Sequence, residues 1–351
     1  MRHCVWAILF VSAALASAQD REPVQVGTAK GVAGQVVRGS LAVAEAADGS
    51  PVALPIAIVT GREAARPVVW VQAASHGDEY GGPRALQDLI RGLDPASMKG
   101  TVVAVMVTNV PAFRGLQRVN PNLDDLEDIG DAFPGRDRFA TERIAAAITA
   151  NVRRVADYFV DLHTGGDRFK QHPFVFYTVT GTVPVNRYDE LAHSFGVATL
   201  WRDTEKVFAS DATTILAAAG IPAFLLEVGG GQPLDPADLR LQADAVRGLL
   251  RKVGILSGEP PRLASHTLVT GYKIVTNARG GFFEASVKPG DRVAAGRELG
   301  KIFDVYGDVV ETMTAPPGTD VVLGVSTYPA AATGGWLFEL GTGLKDDARA
   351  K

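Results

Sequence analysis

The stretch VVWVQAASHGDE, Val68 to Glu79, joins an apolar run to a short polar motif. Its first part, Val68 to Ala74, has the composition of a buried strand, and Ser75-His76-Gly77-Asp78-Glu79 follows directly. A second apolar run, Tyr158 to Leu162, ends in the same way on His163-Thr164-Gly165-Gly166. The pattern places two histidines and a glutamate just beyond the ends of two predicted strands.

This placement favours a catalytic metal site in an α/β protein. In open α/β sheets, ligands bind beyond the carboxyl ends of the strands. Two neutral imidazoles and a carboxylate are a ligand set that zinc uses in catalytic sites, where a fourth position stays open for water. We therefore expect His76, Glu79 and His163 to bind one Zn²⁺ per chain.

The first residues have the features of a secretory signal peptide. A positively charged start precedes an apolar segment, Val5 to Leu15, and Ala16-Ser17-Ala18 follows as a small-x-small cleavage pattern. We expect residues 1–18 to be removed and the mature chain to begin at Gln19. The protein is then exported, either to the periplasm or to the medium.

The composition limits what the mature chain can do. The full chain of 351 residues, 46% hydrophobic and 21% charged, is typical of a folded globular protein of about two domains. The net charge of −4 gives no sign of nucleic-acid binding. The only cysteine, Cys4, lies in the predicted signal, which excludes thiol chemistry after cleavage. No later segment is apolar enough to span a membrane, and the oligomeric state stays open.

Strand-like and helix-like patterns alternate through the larger part of the chain. The predicted elements are leading strands near 34–39 and 55–59, strand 68–74, helix 82–94, strand 101–107, helix 140–156, strands 157–162 and 174–178, helix 211–219, strand 223–228 and helix 235–253. This alternation predicts an α/β sandwich with a mixed sheet, forming a catalytic domain over residues 19–254.

The pattern changes after a linker rich in glycine and proline, residues 255–264. Short strands separated by turns predict a small all-β domain over residues 265–344, and residues 345–351 have the composition of a polar tail.

The β unit resembles the barrel-sandwich hybrid domains of biotinyl and lipoyl carriers, notably at Gly281-Phe282-Phe283 and Val287 to Val293. A carrier needs a lysine at its exposed hairpin tip, and the corresponding stretch, Val310 to Pro316, contains none. A swinging-arm role is therefore disfavoured. We expect this unit to pack beside the catalytic domain and to shape the mouth of its site.

Hydrolysis of an amide needs an activated water, a base and a cation for the oxyanion. Zinc supplies the first by lowering the pKa of bound water. Glu227 ends an apolar strand and precedes three glycines, so partial burial would raise its pKa toward the range of a general base. Arg118, in the loop after strand 101–107, is the candidate cation.

Several motifs together carry a family resemblance. They are Ser75 to Tyr80, Asn109 to Phe113, Phe133-Pro134-Gly135, Asp161-Leu162-His163-Thr164, and Gly220 to Ala223 leading to Glu227-Val228-Gly229-Gly230. With these motifs the chain, from about Gly34 to Gly341, resembles the succinylglutamate desuccinylase/aspartoacylase family, deacylases with the zinc-carboxypeptidase fold.

The resemblance implies a three-layer sandwich and assigns roles to residues at the matching positions. It implies zinc ligands His76, Glu79 and His163, with Glu227 as general base and Arg118 polarising the scissile carbonyl. It also implies that the C-terminal β unit is a regular part of proteins of this family.

One pair of positions departs from the family. Members usually carry an Asn-Arg pair before the Phe-Pro-Gly turn, where it grips a substrate carboxylate, and this chain has Gly130-Asp131 instead. A second carboxylate would be repelled there. Our hypothesis is that Asp131 selects a neutral or cationic substrate group, such as an amide or an amine. Arg168 and Arg202 are candidates for a displaced carboxylate grip.

These observations predict an exported, zinc-dependent amide hydrolase that removes the acyl group from small N-acylated amines or amino acids. Two alternatives stay open. One is a metallocarboxypeptidase or amidase that acts on short or cell-wall peptides. The other, suggested by the missing Asn-Arg pair, is a metal-containing binding protein without turnover. The sequence leaves open the acyl group, the amine and whether zinc is the native metal.

Overall fold

The described part of the chain begins after the predicted signal peptide. The structure, a computed structural model, describes residues 23–63 and 65–347, so the predicted signal at residues 1–18 lies outside the described residues. Within the described ranges no helix combines the length and the apolar character that a membrane span requires.

Strands and helices alternate as far as Lys252, and among the described residues only strands follow. The strands are β1 Gln25–Val26, β2 Ala29–Lys30, β3 Gln35–Glu45, β4 Pro51–Thr60, β5 Val68–Ala73, β6 Thr101–Val105, β7 Tyr158–His163, β8 Phe169–Thr178, β9 Thr199–Asp203, β10 Ala223–Gly229, β11 His266–Val269, β12 Gly271–Thr276, β13 Gly281–Ala285, β14 Glu298–Phe303, β15 Val309–Thr314, β16 Thr319–Ser326, β17 Ala330–Ala331, β18 Trp336–Thr342 and β19 Lys345–Asp347. The α-helices are α1 Gly81–Arg91, α2 Val110–Arg114, α3 Ala140–Val155, α4 Val185–His193, α5 Ala212–Ala218 and α6 Pro236–Lys252, with a 3-10 turn at Ile129–Asp131.

A single mixed sheet, with 13 strands in the described ranges, runs through the molecule. Its main path is β12-β18-β16-β8-β10-β7-β5-β6-β4-β3, and β9, β11 and β19 branch from β8. The pairs β6–β5, β5–β7 and β7–β10 at its centre are parallel, whereas the flanking pairs β4–β6 and β10–β8 are antiparallel. The carboxyl ends of four neighbouring strands therefore meet at one edge of the sheet.

The apolar run of β5 is buried on both faces. Val69 and Val71 join a core with α1, α4 and α6, while Val68 and Trp70 join a core with α3 and α5. Successive side chains of a strand point to opposite faces, so a continuous apolar run suits a strand that is covered on both sides. The two helical layers around a mixed sheet confirm the predicted three-layer sandwich.

Two acidic residues begin helices as N-caps. The side chain of Asp235 accepts a hydrogen bond from the backbone N–H of Ala237 at 2.8 Å, with proline at the first position of α6. Asp211 accepts from the backbone N–H of Thr213 at 2.8 Å in the same way at the start of α5. Each cap satisfies an otherwise unpaired donor and stabilises its helix by about 1 kcal/mol.

The C-terminal unit is all β, as predicted, but part of it continues the main sheet. β16 pairs with β8, so β16, β18 and β12 extend the catalytic sheet, and β15-β14-β13-β17 forms a separate four-stranded sheet. Phe283, Leu299 and Phe338 pack between these layers. The exact domain boundaries stay a prediction, because hydrogen bonds cross the proposed division. The predicted tail begins with a strand, β19, which pairs with β11.

The sequence patterns did not predict α4 or β9. Both are short elements, and α4 starts at a proline cap without a side-chain hydrogen bond. β9 matters for the candidate site because it brings Trp201 to the wall of its cavity.

Candidate metal centre and active-site pocket

Three buried side chains converge at the carboxyl ends of β5 and β7. Glu79 Oε1 lies 2.6 Å from Nδ1 of His76, and Glu79 Oε2 lies 3.1 Å from Nδ1 of His163. One ligand atom from each residue lies within 4.8 Å of the others. Two ring nitrogens and a carboxylate oxygen, buried and this close, suit a zinc ion, so the residues fit the metal that the resemblance implies.

Strand pairing and one glycine bring this cluster together. β5 and β7 are parallel neighbours, with Ala73 opposite Leu162, so the segments that follow them leave the same edge of the sheet. At Gly77 the turn passes close to α2, where an added Cβ would lie 2.1 Å from the carbonyl carbon of Ala112. A residue with a side chain does not fit there without displacing the backbone.

The second ring nitrogen of each histidine faces a carboxylate. Nε2 of His76 lies 3.0 Å from Asp128 Oδ1, and Nε2 of His163 lies 3.4 Å from Asp161 Oδ2. Carboxylates behind metal-binding imidazoles fix the orientation of the rings and increase their basicity. The arrangement therefore suits a metal ion held by His76, Glu79 and His163 and supported by Asp128 and Asp161.

Asp161 is itself held in place by two buried donors. Its Oδ2 accepts hydrogen bonds from Nε2 of Gln72 at 2.7 Å and from Oγ of Ser75 at 2.8 Å. Both donors come from the β5 segment that carries His76, so the two halves of the cluster are hydrogen-bonded to each other. Asp161 and His163 form an Asp-x-His motif, so the sequence did contain a signal that Asp161 supports His163.

The charges of the cluster are mutually dependent. Burial opposes ionisation of Glu79, but the imidazoles of His76 and His163 outweigh it and lower its pKa below the usual carboxyl range. Burial likewise opposes protonation of His163, but Glu79 and Asp161 raise its pKa well above the ordinary histidine value. The buried carboxylates thus create a site that favours positive charge.

Glu227 lies beside this cluster on β10. In the parallel pairing of β10 with β7 it is directly opposite His163. Burial, and then the charge of Glu79, raise its pKa well above the ordinary value. Its Oε1 has no hydrogen-bond partner among the described residues. A buried carboxyl group with a raised pKa and a free oxygen can accept and return a proton.

The guanidinium group of Arg118 is held by carboxylates on one side and is exposed on the other. Its Nε lies 3.0 Å from Asp128 Oδ2 and its Nη1 lies 3.5 Å from Glu79 Oε1. The side chain is nevertheless 45% exposed. The remaining N–H groups can therefore reach a substrate in the cavity.

A cavity of about 580 Å³ opens over the cluster. This volume is in the range of small-molecule sites. The cavity is lined by the predicted metal ligands, by Glu227 and Arg118, and by Tyr272, Trp336 and Glu339 from the C-terminal unit. The β unit therefore contributes to the wall of the site.

The predicted substrate-binding residues divide into two groups. Asp131 and Arg168 both line the cavity, and both are exposed. The structure does not bring Arg202 there, because its Nη2 lies 2.7 Å from Oδ2 of Asp189 in an ion pair. Neighbouring residues of a strand face opposite sides, so Trp201, which lines the cavity, turns Arg202 away from it.

Several cavity residues carried no local signal in the sequence. Asp128 lies in an acidic run, Asp124 to Asp131, whose spacing lacks the EF-hand pattern of calcium sites. Trp201, Tyr272 and Glu339 reach the cavity from strands far apart in the chain, so only the sheet order places them together.

Known proteins share this sequence pattern and fold. The family model for the succinylglutamate desuccinylase/aspartoacylase catalytic domain matches residues 65–253. The N-alpha-acetyl-L-2,4-diaminobutyric acid deacetylase of Halomonas elongata is 27% identical over 296 residues, which cover 81% of this chain and 84% of that protein.

Solved structures share the fold across nearly the whole chain. The product-bound ectoine utilization protein EutE (DoeB) of Ruegeria pomeroyi superposes with a TM-score of 0.79 at 24% identity, covering 92% of this chain and 99% of that one. A succinylglutamate desuccinylase from Silicibacter sp. TM1040 gives a TM-score of 0.78 at 22% identity, covering 92% and 100%.

The family match spans more than half of the chain and includes His76, Glu79, His163 and Glu227. The structures agree in fold over the C-terminal unit as well. The chain therefore belongs to the succinylglutamate desuccinylase/aspartoacylase family, whose members are deacylases that hydrolyse amide bonds.

Proposed function

We propose that this protein is an exported, zinc-dependent deacylase that hydrolyses the amide bond of small N-acylated amino acids or amines. The observation that carries the proposal is the buried cluster of His76, Glu79 and His163, with ligand atoms within 4.8 Å, and Glu227 opposite His163 on the next strand. Metal-assisted hydrolysis requires this combination of metal ligands and a carboxylate outside the ligand set.

His76 and His163 would hold the metal through their Nδ1 atoms, and Glu79 through its carboxylate. When bound, zinc lowers the pKa of a coordinated water and polarises a carbonyl group. Asp128 and Asp161 would keep the two imidazole rings in the orientation that binding needs.

Glu227 would act as the general base and then as the acid. Its carboxylate accepts a proton from the attacking water as the oxygen bonds to the carbonyl carbon. The same carboxyl group then gives the proton to the nitrogen as the C–N bond breaks, so the amine leaves neutral. The unpartnered Oε1 is the atom we assign to this transfer.

Arg118 would stabilise the negative charge that develops on the carbonyl oxygen. Contacts with Asp128 and Glu79 fix its guanidinium before substrate arrives, and the exposed edge is free to donate. A fixed donor stabilises the transition state more than one that must reorient.

The substrate is proposed from the cavity and from the relative. N-alpha-acetyl-L-2,4-diaminobutyric acid, which gives the Halomonas protein its name, carries an acetyl amide, a carboxylate and a free amine. We propose a substrate of this kind here. Arg168 on the cavity wall can bind the carboxylate, and Asp131 at the position of the family clamp favours an amine over a second acid.

The test combines turnover with metal content on the mature chain. We expect hydrolysis of N-acetyl-L-2,4-diaminobutyrate or a related N-acyl amino acid, and a fall of about 1,000-fold or more in kcat for Glu227→Gln, since it removes the base. About one zinc per chain should remain in that variant and be lost in His76→Ala. Glu284→Gln, at an exposed position of β13, is the matched control.

Other outcomes point elsewhere. Tight binding of N-acyl compounds or peptides without turnover would favour a non-catalytic binding protein. Cleavage of short peptides with no action on N-acyl amino acids would favour a carboxypeptidase or amidase. Protein that neither contains nor takes up zinc would refute the metal-dependent mechanism.

Export is proposed from residues 1–18 alone. Expression of the full-length chain in a bacterial host should yield periplasmic or secreted protein whose mass corresponds to a start at Gln19. Full-length protein that stays in the cytoplasm without cleavage would contradict this proposal.

A further inference from the structure

We propose that Glu339 and Gln171 form a subsite that binds a free ammonium group of the substrate and so selects N-acyl compounds that carry a second, unmodified amine. The inference rests on the proposed deacylase function and assigns residues to its specificity. Neither residue belongs to the metal cluster or to the groups proposed for catalysis.

A glycine allows these two side chains to meet. Glu339 on β18 pairs with Gly324 on β16, and Gly324 pairs with Gln171 on β8. An added Cβ at Gly324 would lie 2.5 Å from Gln171 Oε1 and 3.0 Å from Glu339 Oε2. Because Gly324 has no side chain, Nε2 of Gln171 donates to Glu339 Oε2 across β16 at 2.8 Å.

The pair contains one acceptor that lacks a donor. Gln171 is only 7% exposed, and its Oε1 is buried with no hydrogen-bond partner among the described residues. The Nε2 atom is already used by Glu339, so the unpaired atom is the oxygen. An unpaired buried acceptor is costly, and a ligand that donates hydrogen bonds removes the cost.

Glu339 is partly buried and makes no ion pair in the described part of the chain. Burial raises its pKa, while hydrogen bonds from Gln171 and the hydroxyl of Tyr272 favour its ionised form. An ammonium group would supply a positive charge beside Glu339 and a donor for Gln171 Oε1. A substrate carboxylate at this end of the cavity would instead be repelled.

The surrounding wall also suits a cation. Tyr272 stacks on Trp201 with ring centroids 4.8 Å apart, and both line the cavity. Aromatic faces attract ammonium groups through their quadrupoles. The lining contains seven carboxyl side chains and two arginines, so its formal charge, with every carboxyl group ionised, is negative even after a divalent metal binds.

Glu339 is a stronger candidate for this contact than Asp131. Asp131 is exposed, and water screens its charge, whereas Glu339 acts from a less hydrated wall. Asp131 can favour the approach of cationic substrates, but close recognition is expected where the charge is desolvated.

The first measurement compares two substrates of equal length. Nα-acetyl-L-2,4-diaminobutyrate ends in an ammonium group, and Nα-acetyl-L-norvaline has a methyl group in its place. The wild-type protein should prefer the amine by about 10- to 100-fold in kcat/KM, as one hydrogen-bonded charge contact allows. Glu339→Gln keeps the shape and should bring the ratio close to one, mainly by slowing the amine substrate.

The second measurement does not depend on turnover. Binding of free 2,4-diaminobutyrate and of norvaline is measured by calorimetry, with thermal melting as the check on folding. The diamino acid should bind about 10- to 100-fold more tightly to wild-type protein, and Glu339→Gln should abolish the difference. Glu284→Gln, on β13 of the same unit, should change neither value.

The outcomes separate this proposal from the proposed function. If amides are hydrolysed but Glu339→Gln keeps the amine preference, or wild-type protein has none, the subsite is refuted and the deacylase stands. If no amide is hydrolysed but the diamino acid binds selectively through Glu339, the deacylase is refuted and the subsite stands. Equal or absent binding of both amino acids to wild-type protein refutes the subsite.

Discussion

Glu227 lies directly opposite His163 where the parallel strands β10 and β7 pair. The proposed base and a proposed metal ligand are thus held by adjacent strands at the centre of the sheet. Sites built on strands are positioned more accurately than sites built on loops. The separation of the two groups is therefore set by backbone hydrogen bonds and not by loop packing.

Asp161 is expected to control metal affinity through His163. Its Oδ2 lies 3.4 Å from Nε2 of His163. Replacement of Asp161 with asparagine removes the charge that orients the ring and increases its basicity, so the Kd for zinc should rise by about 10- to 100-fold. Competition with a chromogenic chelator measures this change.

The control for this variant is Asp137→Asn, because the Asp137 side chain is 91% exposed and lies outside the cavity. It should bind zinc as the wild-type protein does. Unchanged zinc affinity in Asp161→Asn, with the fold intact by circular dichroism, would show that Asp161 does not support the metal site.

The pH dependence of hydrolysis should follow Glu227. Burial and the charge of Glu79 raise its pKa, although His163 opposes the shift. A general base works only when ionised, so kcat/KM should rise with pH through an apparent pKa above the ordinary value of 4.5 and then level off.

Nα-acetyl-L-norvaline is the suitable substrate for this profile, because its carboxyl group titrates at about 3.5, below the range of interest. Zinc content is measured at each pH, so that loss of metal is not mistaken for protonation of the base. If kcat/KM falls on acidification with an apparent pKa at or below 4.5 while zinc is retained, the raised pKa of Glu227 is contradicted.

The metal cluster could be predicted because its signals are local. An apolar run followed by His-x-x-Glu, and a second run that ends on histidine, place the ligands whatever the remaining topology. Parallel pairing of β5 with β7 then brings them together. Sequence pattern and sheet geometry agree here because strand ends define the site.

The cavity wall could not be predicted in the same way. Glu339 reaches Gln171 only because β18, β16 and β8 are neighbours and Gly324 lies between them. The side on which Arg202 lies depends on the register of β9, a strand that the patterns missed. Such contacts depend on the order of the strands in the sheet and on which face of the sheet each side chain occupies, and local patterns specify neither.

Gly77 is expected to be essential for stability. An added Cβ would lie 2.1 Å from the carbonyl carbon of Ala112, and backbone at that position cannot move away cheaply. Gly77→Ala should therefore lower the free energy of unfolding by about 1–3 kcal/mol or more, and weaken zinc binding through the adjacent His76. Thermal and urea unfolding measure the first effect, and metal analysis measures the second.

Gly280→Ala is a matched control, since the nearest atom to its added Cβ, the backbone oxygen of Ala331, is at an ordinary 3.4 Å. It should change stability by no more than about 0.5 kcal/mol. If the two substitutions lower the free energy of unfolding equally, the close approach to Ala112 is not the reason why position 77 requires glycine.

The Gly130-Asp131 pair should be convertible to the family clamp. An added Cβ at Gly130 would have Asp128 Oδ1 as its nearest neighbour at 3.2 Å, a contact that a small side-chain adjustment can relieve. Asp131 already lines the cavity, so an arginine there would point its charge toward substrate. The double variant Gly130→Asn/Asp131→Arg thus exchanges a repulsive group for one that binds carboxylates.

We expect this double variant to shift selectivity from amine-bearing substrates toward N-acetylaspartate by about 10-fold or more in the ratio of kcat/KM values, as a charged hydrogen bond allows. Asp131→Asn separates the two causes, because it removes the repulsion without adding a cation and should give a smaller shift. If neither variant changes the ratio, Asp131 does not face the substrate carboxylate. Selection would then depend on the deeper wall formed by Glu339 and Gln171, whose charge is unaffected by either substitution.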